Sequence, residues 1–295
     1  MAGKSATLSS SALSAEISAL GAELVQLRDR DGRDLLWHGD PAFWGGRAPL
    51  LFPIVGRLPH DELVHDGRRY GMKQHGFARR SLFDLVELQP QRAVFRLLPN
   101  AETRAQYPFT FALDVAYELT GASLAIEATL RNRGPESLPA SFGFHPAFLW
   151  PLPYGGRRAD HRLIFEQPET GPVHRPSGGL LSAATEPNPA ARAILTPDDA
   201  MFERDALIFL NVRSRHVRYG VPDGPGLEIA FPGMPDLGLW TKPGAPFLCI
   251  EPWAGHATPE GDERPFVEKP GLVHLPPGAE HDFAMTIRWL PDITA

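Results

Sequence analysis

Phe109-Thr110-Phe111-Ala112-Leu113-Asp114-Val115-Ala116-Tyr117-Glu118-Leu119 and, after Gly121, Ser123-Leu124-Ala125-Ile126-Glu127-Ala128-Thr129-Leu130-Arg131 carry an apolar residue at nearly every second position. A period of two places those residues on one face of an extended strand, and flanking Pro108 and Gly121 mark its ends. Working outward, similar runs recur at Leu13 to Leu20, Glu23 to Arg28, Leu35 to Trp37, Leu82 to Leu88 and Ala93 to Leu98. They continue at Leu163 to Phe165, Leu207 to Val212, Val217 to Val221, Leu227 to Phe231, Leu237 to Trp240, Phe247 to Glu251 and Phe283 to Leu290. Helical periodicity is scarcely visible. Asp31-Gly32 and Asp66-Gly67 read as hairpin turns, because Asp and Gly tolerate the positive φ that tight turns need. The expected fold is all-β: a large antiparallel β-sandwich formed by residues 1–295 as one domain.

Composition narrows the function. The 295 residues are 43% hydrophobic, with 28 glycines and 31 prolines, which suits many turns between short strands. Net charge is -6, from 29 basic and 35 acidic residues mixed along the chain, so no basic block invites a nucleic acid. The lone Cys249 precludes an intramolecular disulfide, and no apolar run has the length of a leader or a membrane span. A cytoplasmic protein with no membrane partner, a monomer or homodimer, is expected. Pro151 to Asp199 holds little apolar patterning beyond Leu163 to Phe165 and reads as a long surface excursion that could cover a site.

Three titratable side chains stand in apolar segments: His75 in Gln74-His75-Gly76-Phe77-Ala78-Arg79, His145 in Gly143-Phe144-His145-Pro146-Ala147-Phe148, and Glu251 in Cys249-Ile250-Glu251-Pro252-Trp253. Such groups are costly to desolvate unless paired or used. Strand alternation puts Glu251 on one face with Phe247 and Cys249, which raises its pKa toward a range useful to a general base. The same alternation puts His145 beside Ser141 and Gly143, on a face with room for a ligand, while Phe142 and Phe144 point to the core. Pro146 and Pro252 hold both preceding residues in extended conformations. Taken singly, each residue also has an ordinary reading, as a core histidine bonded to a carbonyl or a glutamate paired with an arginine. Near His75, Arg57, Lys73, Arg79 and Arg80 form a cationic group suited to hydroxyls or a phosphate. Arg57 ends the apolar run Pro49 to Gly56 and needs a partner if that run is buried.

With Phe52-Pro53-Ile54-Val55-Gly56-Arg57 upstream, these motifs occur in an order that resembles the aldose 1-epimerases, or galactose mutarotase-like proteins, in their shorter bacterial branch. Arg131-Asn132-Arg133-Gly134 and Glu268-Lys269-Pro270-Gly271 extend the resemblance over essentially the whole chain. It implies a concave cleft on one sheet, interconversion of the α and β anomers of a sugar, and no metal or organic cofactor. By resemblance Glu251 is the general base, His145 the general acid and His75 a supporting hydrogen-bond donor. Arg57 and Asp205 would bind substrate, with Asp236 the alternative to Asp205, and Arg79 and Trp240 would contribute contacts. Trp240 and Trp253 read equally well as sugar-facing surfaces or as core. The rivals are a hexose-6-phosphate 1-epimerase, a non-catalytic carbohydrate-binding protein, and a metal-dependent hydrolase using His75, His145 and Glu251. Against the last, the chain has no histidine pair of the H-x-H or H-E-x-x-H spacing.

Overall fold

The hairpin read from the sequence lies inside a nine-stranded antiparallel sheet. In the computed structural model, which describes residues 5–294, Phe111–Thr120 and Ser123–Asn132 pair in register across Gly121-Ala122, with Gly121 at φ +57. Residues 1–4 of the amino-terminal stretch read as lacking a leader, and residue 295, lie outside the described residues. Leu113, Val115, Tyr117 and Leu119 are buried together with Leu124, Ile126, Ala128 and Leu130, while Glu118 and Glu127 face solvent. That is the inward-outward alternation expected of a strand with one wet face.

The rest of this first sheet adds Glu280–Leu290 and Gly226–Ala230, then His216–Gly220, Arg162–Phe165 and Ile194–Leu195, on one side. Arg92–Leu97 and Asp84–Gln89 complete the other. Across its outer face Asp114 accepts hydrogen bonds from Arg96 Nε and Nη2 at 2.6 and 2.7 Å and from Arg131 Nη1 at 2.7 Å. Arg131 Nε in turn donates to Glu280 at 2.9 Å, so the ladder spans four strands.

A second, eight-stranded sheet faces it. Its order runs Leu180–Glu186, Val173–Ser177, Leu207–Phe209, Asp236–Trp240, Phe247–Ala254, Phe142–Phe144 and Leu50–Leu51, with Ala147–Leu149 also paired to Phe247–Ala254. Leu248, Ile250, Phe142 and Phe144 point between the sheets, where Phe142 stacks on Phe283 at 4.9 Å between ring centres. Burial of each such side chain contributes roughly 1.5–3 kcal/mol. The architecture is therefore the expected antiparallel sandwich, with a small three-stranded sheet of Ala6–Ser9, Leu13–Ile17 and Leu24–Asp29 beside it. Among the described residues, no helix is long and apolar enough to cross a membrane.

Asp66-Gly67 turns the Glu62–His65 and Arg68–Gly71 hairpin with φ +48 and +71, as the dipeptide suggests. The stretch Pro151 to Asp199 differs from its reading as a surface excursion. It supplies four strands: one pair at the margin of each large sheet. Val173–Ser177 pairs with Leu207–Phe209 only at Val173 and His174, so Pro176 lies beyond that ladder, and with few apolar residues the strand gives periodicity no signal.

Candidate active site

Phe247–Ala254 is buried along all eight residues. Leu248 and Ile250 enter the core between the sheets, which leaves Phe247, Cys249, Glu251 and Trp253 on the opposite face. Phe142–Phe144 and Ala147–Leu149 both pair with this strand, Gly143 opposite Trp253 and Ala147 opposite Cys249. The register is the same on either side of the break at His145-Pro146, so His145 stands opposite Glu251. Pro146 has no N–H for the ladder, although its carbonyl still accepts from Ile250 N at 3.2 Å. The imidazole Nε2 reaches Glu251 Oε2 at 3.2 Å, and both side chains are buried.

Burial pushes the Glu251 carboxyl well above its ordinary range. The charge of Asp205 adds to the rise, and the indole of Trp253, the smallest of the three influences, opposes it. Burial, with the nearby Arg79 cation, takes His145 down to about 3. Each group is thus driven toward its neutral form. A neutral pair and an ion pair hold the same number of protons, so moving the one proton between Oε2 and Nε2 interconverts them. His145 Nδ1, buried and without a hydrogen-bond partner, keeps its own proton in both forms.

His75 occupies a turn at φ +65. Gly76 follows at φ +67, and a Cβ there would lie 2.1 Å from the carbonyl oxygen of Phe52, so only glycine fits. His75 N–H donates to Gly56 O at 2.8 Å, and Gly56 N–H donates to His75 Nδ1 at 3.1 Å. Because Nδ1 is an acceptor, the proton of the neutral ring is on Nε2. Burial, then the neighbouring His145, Arg79 and Arg80, holds this imidazole well below its usual pKa and so uncharged. Gln74, 3.3 Å from Nε2, must then present its carbonyl oxygen there. His75 is fixed as a donor whose ring lies 6.0 Å from that of His145.

These groups line a cavity of about 350 Å³. Arg79, Asp205, Trp240 and Trp253 join His75, His145 and Glu251 around it. Trp253 lies across two strands that carry no side chain beneath it: a Cβ at Gly143 would approach the indole to 2.6 Å, and one at Gly238 to 2.4 Å. The space that Gly143 leaves beside His145 is therefore taken by the indole. Arg79, pushed down to about 10 by burial and by Arg80, is a cation of the wall. Asp205 is held at φ +69, with its carboxylate accepting from Ala206 N–H at 2.8 Å.

Other expected residues stand elsewhere. The Arg57 guanidinium is absent from the cavity wall; it clasps Asp61 through Nε and Nη2, both at 2.5 Å, and donates to Gly178 O at 3.0 Å. The partner its apolar surroundings demand is thus Asp61, and the arginine ties down the tip of the hairpin formed by Val173–Ser177 and Leu180–Glu186. Lys73 and Arg80 line a separate cleft. Asp236 is buried away from the cavity, accepting from Asn211 N–H at 3.0 Å and pairing with His256 Nδ1 at 3.0 Å.

Trp44 is the contribution that periodicity misses. Its ring stacks on His145 at 4.9 Å and 25° and meets Trp240 edge-on at 5.5 Å. It comes from a loop without alternation, pinned where Trp37 Nε1 donates to its carbonyl at 2.9 Å. The only hint in the sequence is Gly46, where a Cβ would lie 2.5 Å from the indole. Pro176 and Gly179 of the 173–186 hairpin also reach the cavity, so that stretch does cover the site.

A family model described as aldose 1-epimerase matches residues 4–288. Protein LacX, plasmid, from Lactococcus lactis subsp. lactis is 33% identical over 276 residues, covering 90% of this chain and 92% of that protein. Among solved structures, a galactose mutarotase related enzyme from Lactobacillus acidophilus superposes with TM-score 0.91 at 28% identity, over 97% of each chain. A galactose mutarotase-like protein from Lactobacillus casei gives 0.89, also at 28%, over 97% of this chain and 100% of that one.

Proposed function

Since the chain belongs to the aldose 1-epimerase family, we propose that it interconverts the α and β anomers of a free aldohexose by acid–base ring opening. The observation that carries this reading is the buried 3.2 Å contact between His145 Nε2 and Glu251 Oε2 on the cavity wall. In its ion-paired form the couple holds a carboxylate base and an imidazolium acid. Glu251 takes the proton of the C1 hydroxyl as His145 Nε2 protonates the ring oxygen. The C1–ring oxygen bond breaks, and an open-chain aldehyde remains with a neutral couple. Rotation about C1–C2 presents the other carbonyl face, and the reverse transfers close the ring. The two proton positions available to the empty site are therefore those that flank the open-chain intermediate, with no net proton gained or lost. Each member of such a couple contributes about 10²–10⁴-fold.

His75, uncharged and donating through Nε2, supports the ring oxygen or C1 hydroxyl. Asp205 accepts from sugar hydroxyls and Arg79 donates to them. Trp44, Trp240 and Trp253 offer flat apolar surfaces to the C–H faces of the ring.

The placement of the cations favours a free sugar over a hexose 6-phosphate. Of the four near His75 in sequence, Arg79 alone lines the cavity, whose wall also carries Asp205 and Glu251. Polarimetry and anomer-resolved NMR on freshly dissolved α-glucose, α-galactose and their 6-phosphates test this. Faster equilibration of a free hexose is expected. Acceleration of the phosphates alone would transfer the activity to the rival substrate, and no acceleration with retained sugar binding would leave a carbohydrate-binding protein.

A further inference from the structure

Cys249 lies on the same face of Phe247–Ala254 as Glu251, two residues before it, and is fully buried. Its Sγ, a ring nitrogen of His145 and a carboxylate oxygen of Glu251 all lie within 4.8 Å of one another. We propose that His145, Cys249 and Glu251 form a binding site for a borderline-soft divalent ion such as Zn²⁺, which inhibits the enzyme by occupying its acid and base together.

The donor set is that of zinc: one imidazole, one thiolate and one carboxylate, with bond lengths of about 2.0–2.3 Å. Tetrahedral ligands at such lengths stand about 3.3–3.7 Å apart. The His145–Glu251 separation of 3.2 Å is close to that already. The remaining spans are no longer than 4.8 Å and must shorten to close the set on one ion. Three protein ligands leave a fourth position, and His145 and Glu251 both border the cavity, so water or a sugar hydroxyl completes the shell. The ion replaces the proton that the pair shares and also displaces that of the Cys249 thiol, so binding releases two protons.

Retention is limited by the second shell. A ligating histidine ordinarily donates its other N–H to a carboxylate or carbonyl, and His145 Nδ1 has no such partner. The ion is accordingly exchangeable, an inhibitor that a chelator removes. The inhibition rests on the epimerase reading; the binding does not.

The experiment titrates chelator-stripped protein with Zn²⁺ by calorimetry and with Co²⁺ by absorption, alongside mutarotation rates. One ion per chain is expected, with activity falling in step with occupancy and a thiolate-to-cobalt band in the near ultraviolet. Cys249→Ser should weaken binding by tenfold or more and abolish that band, while mutarotation without metal stays unchanged. The proposal is overturned if no saturable binding occurs or if Cys249→Ser binds as tightly as the parent. Binding lost instead in His65→Ala would assign the ion to the His65, Asp66 and Glu136 group and overturn it equally. If the parent protein catalyses no mutarotation, calorimetry and the cobalt spectrum still decide the site.

Discussion

Asp114 on the outer face of the nine-stranded sheet and Glu251 on the cavity face of the eight-stranded one are both carboxylates opposed by cationic or titratable side chains on adjacent strands. Three guanidinium hydrogen bonds reach Asp114. Burial pushes its pKa up, but Arg96 and Arg131 together outweigh this and hold it below the ordinary value. Glu251 receives one imidazole contact and is more deeply buried, and its pKa moves the other way. The same cross-strand geometry thus fixes a charge where donors are abundant and leaves a movable proton where they are scarce.

The largest effect should come from breaking the scarce pair. Glu251→Gln and His145→Asn should each lower kcat/KM by about 10²–10⁴-fold. Circular dichroism and Tm should show the fold retained. The pH profile sharpens the same point. Activity requires the pair to hold its single shared proton, so kcat/KM should fall on the acid side as His145 gains a second proton near pH 3. It should fall on the alkaline side only well above the usual carboxylate range, as the pair loses the shared proton. An alkaline limb near pH 4 to 5 would contradict the burial argument.

On the abundant pair, Asp114→Asn should leave mutarotation unchanged and cost about 1–3 kcal/mol of stability, measured by urea unfolding. Because the folded pKa of Asp114 is depressed, its contribution is present above the unfolded value near 4 and is lost as pH falls through the folded one. The parent and variant should therefore converge in stability in acid.

Smaller effects belong to the walls. Trp44→Ala removes the ring stacked on His145 and should reduce kcat/KM by about tenfold, in line with aromatic contacts of ~0.5–1.5 kcal/mol. Arg57→Ala should change kcat/KM by no more than a few-fold, since it frees the tip of the covering hairpin without touching the cavity. A loss as large as that of Glu251→Gln would return Arg57 to direct substrate binding.

The fold and the pair were legible for the same reason. Alternation in Phe247 to Glu251 and in Ser141 to His145 fixes which side chains share a face, and prolines mark both strands. Contacts that depend on irregular backbone were not legible. Asp61 reaches Arg57 only through the turn at Pro59 and His60, so the sequence named no partner for the arginine and left it a substrate ligand. Trp44 arrives from a loop, and Val173–Ser177 is a short strand near the sheet margin whose polar residues mimic a loop. The tautomer of His75 depends on one backbone amide, at Gly56, which no side-chain pattern encodes.

Beneath Trp253, Gly143 and Gly238 set how deep the indole lies. An added methyl at either position would collide with the indole and force it to shift. Pocket depth, and with it the size of ligand admitted, is therefore set by two residues that carry no side chain and no titratable group.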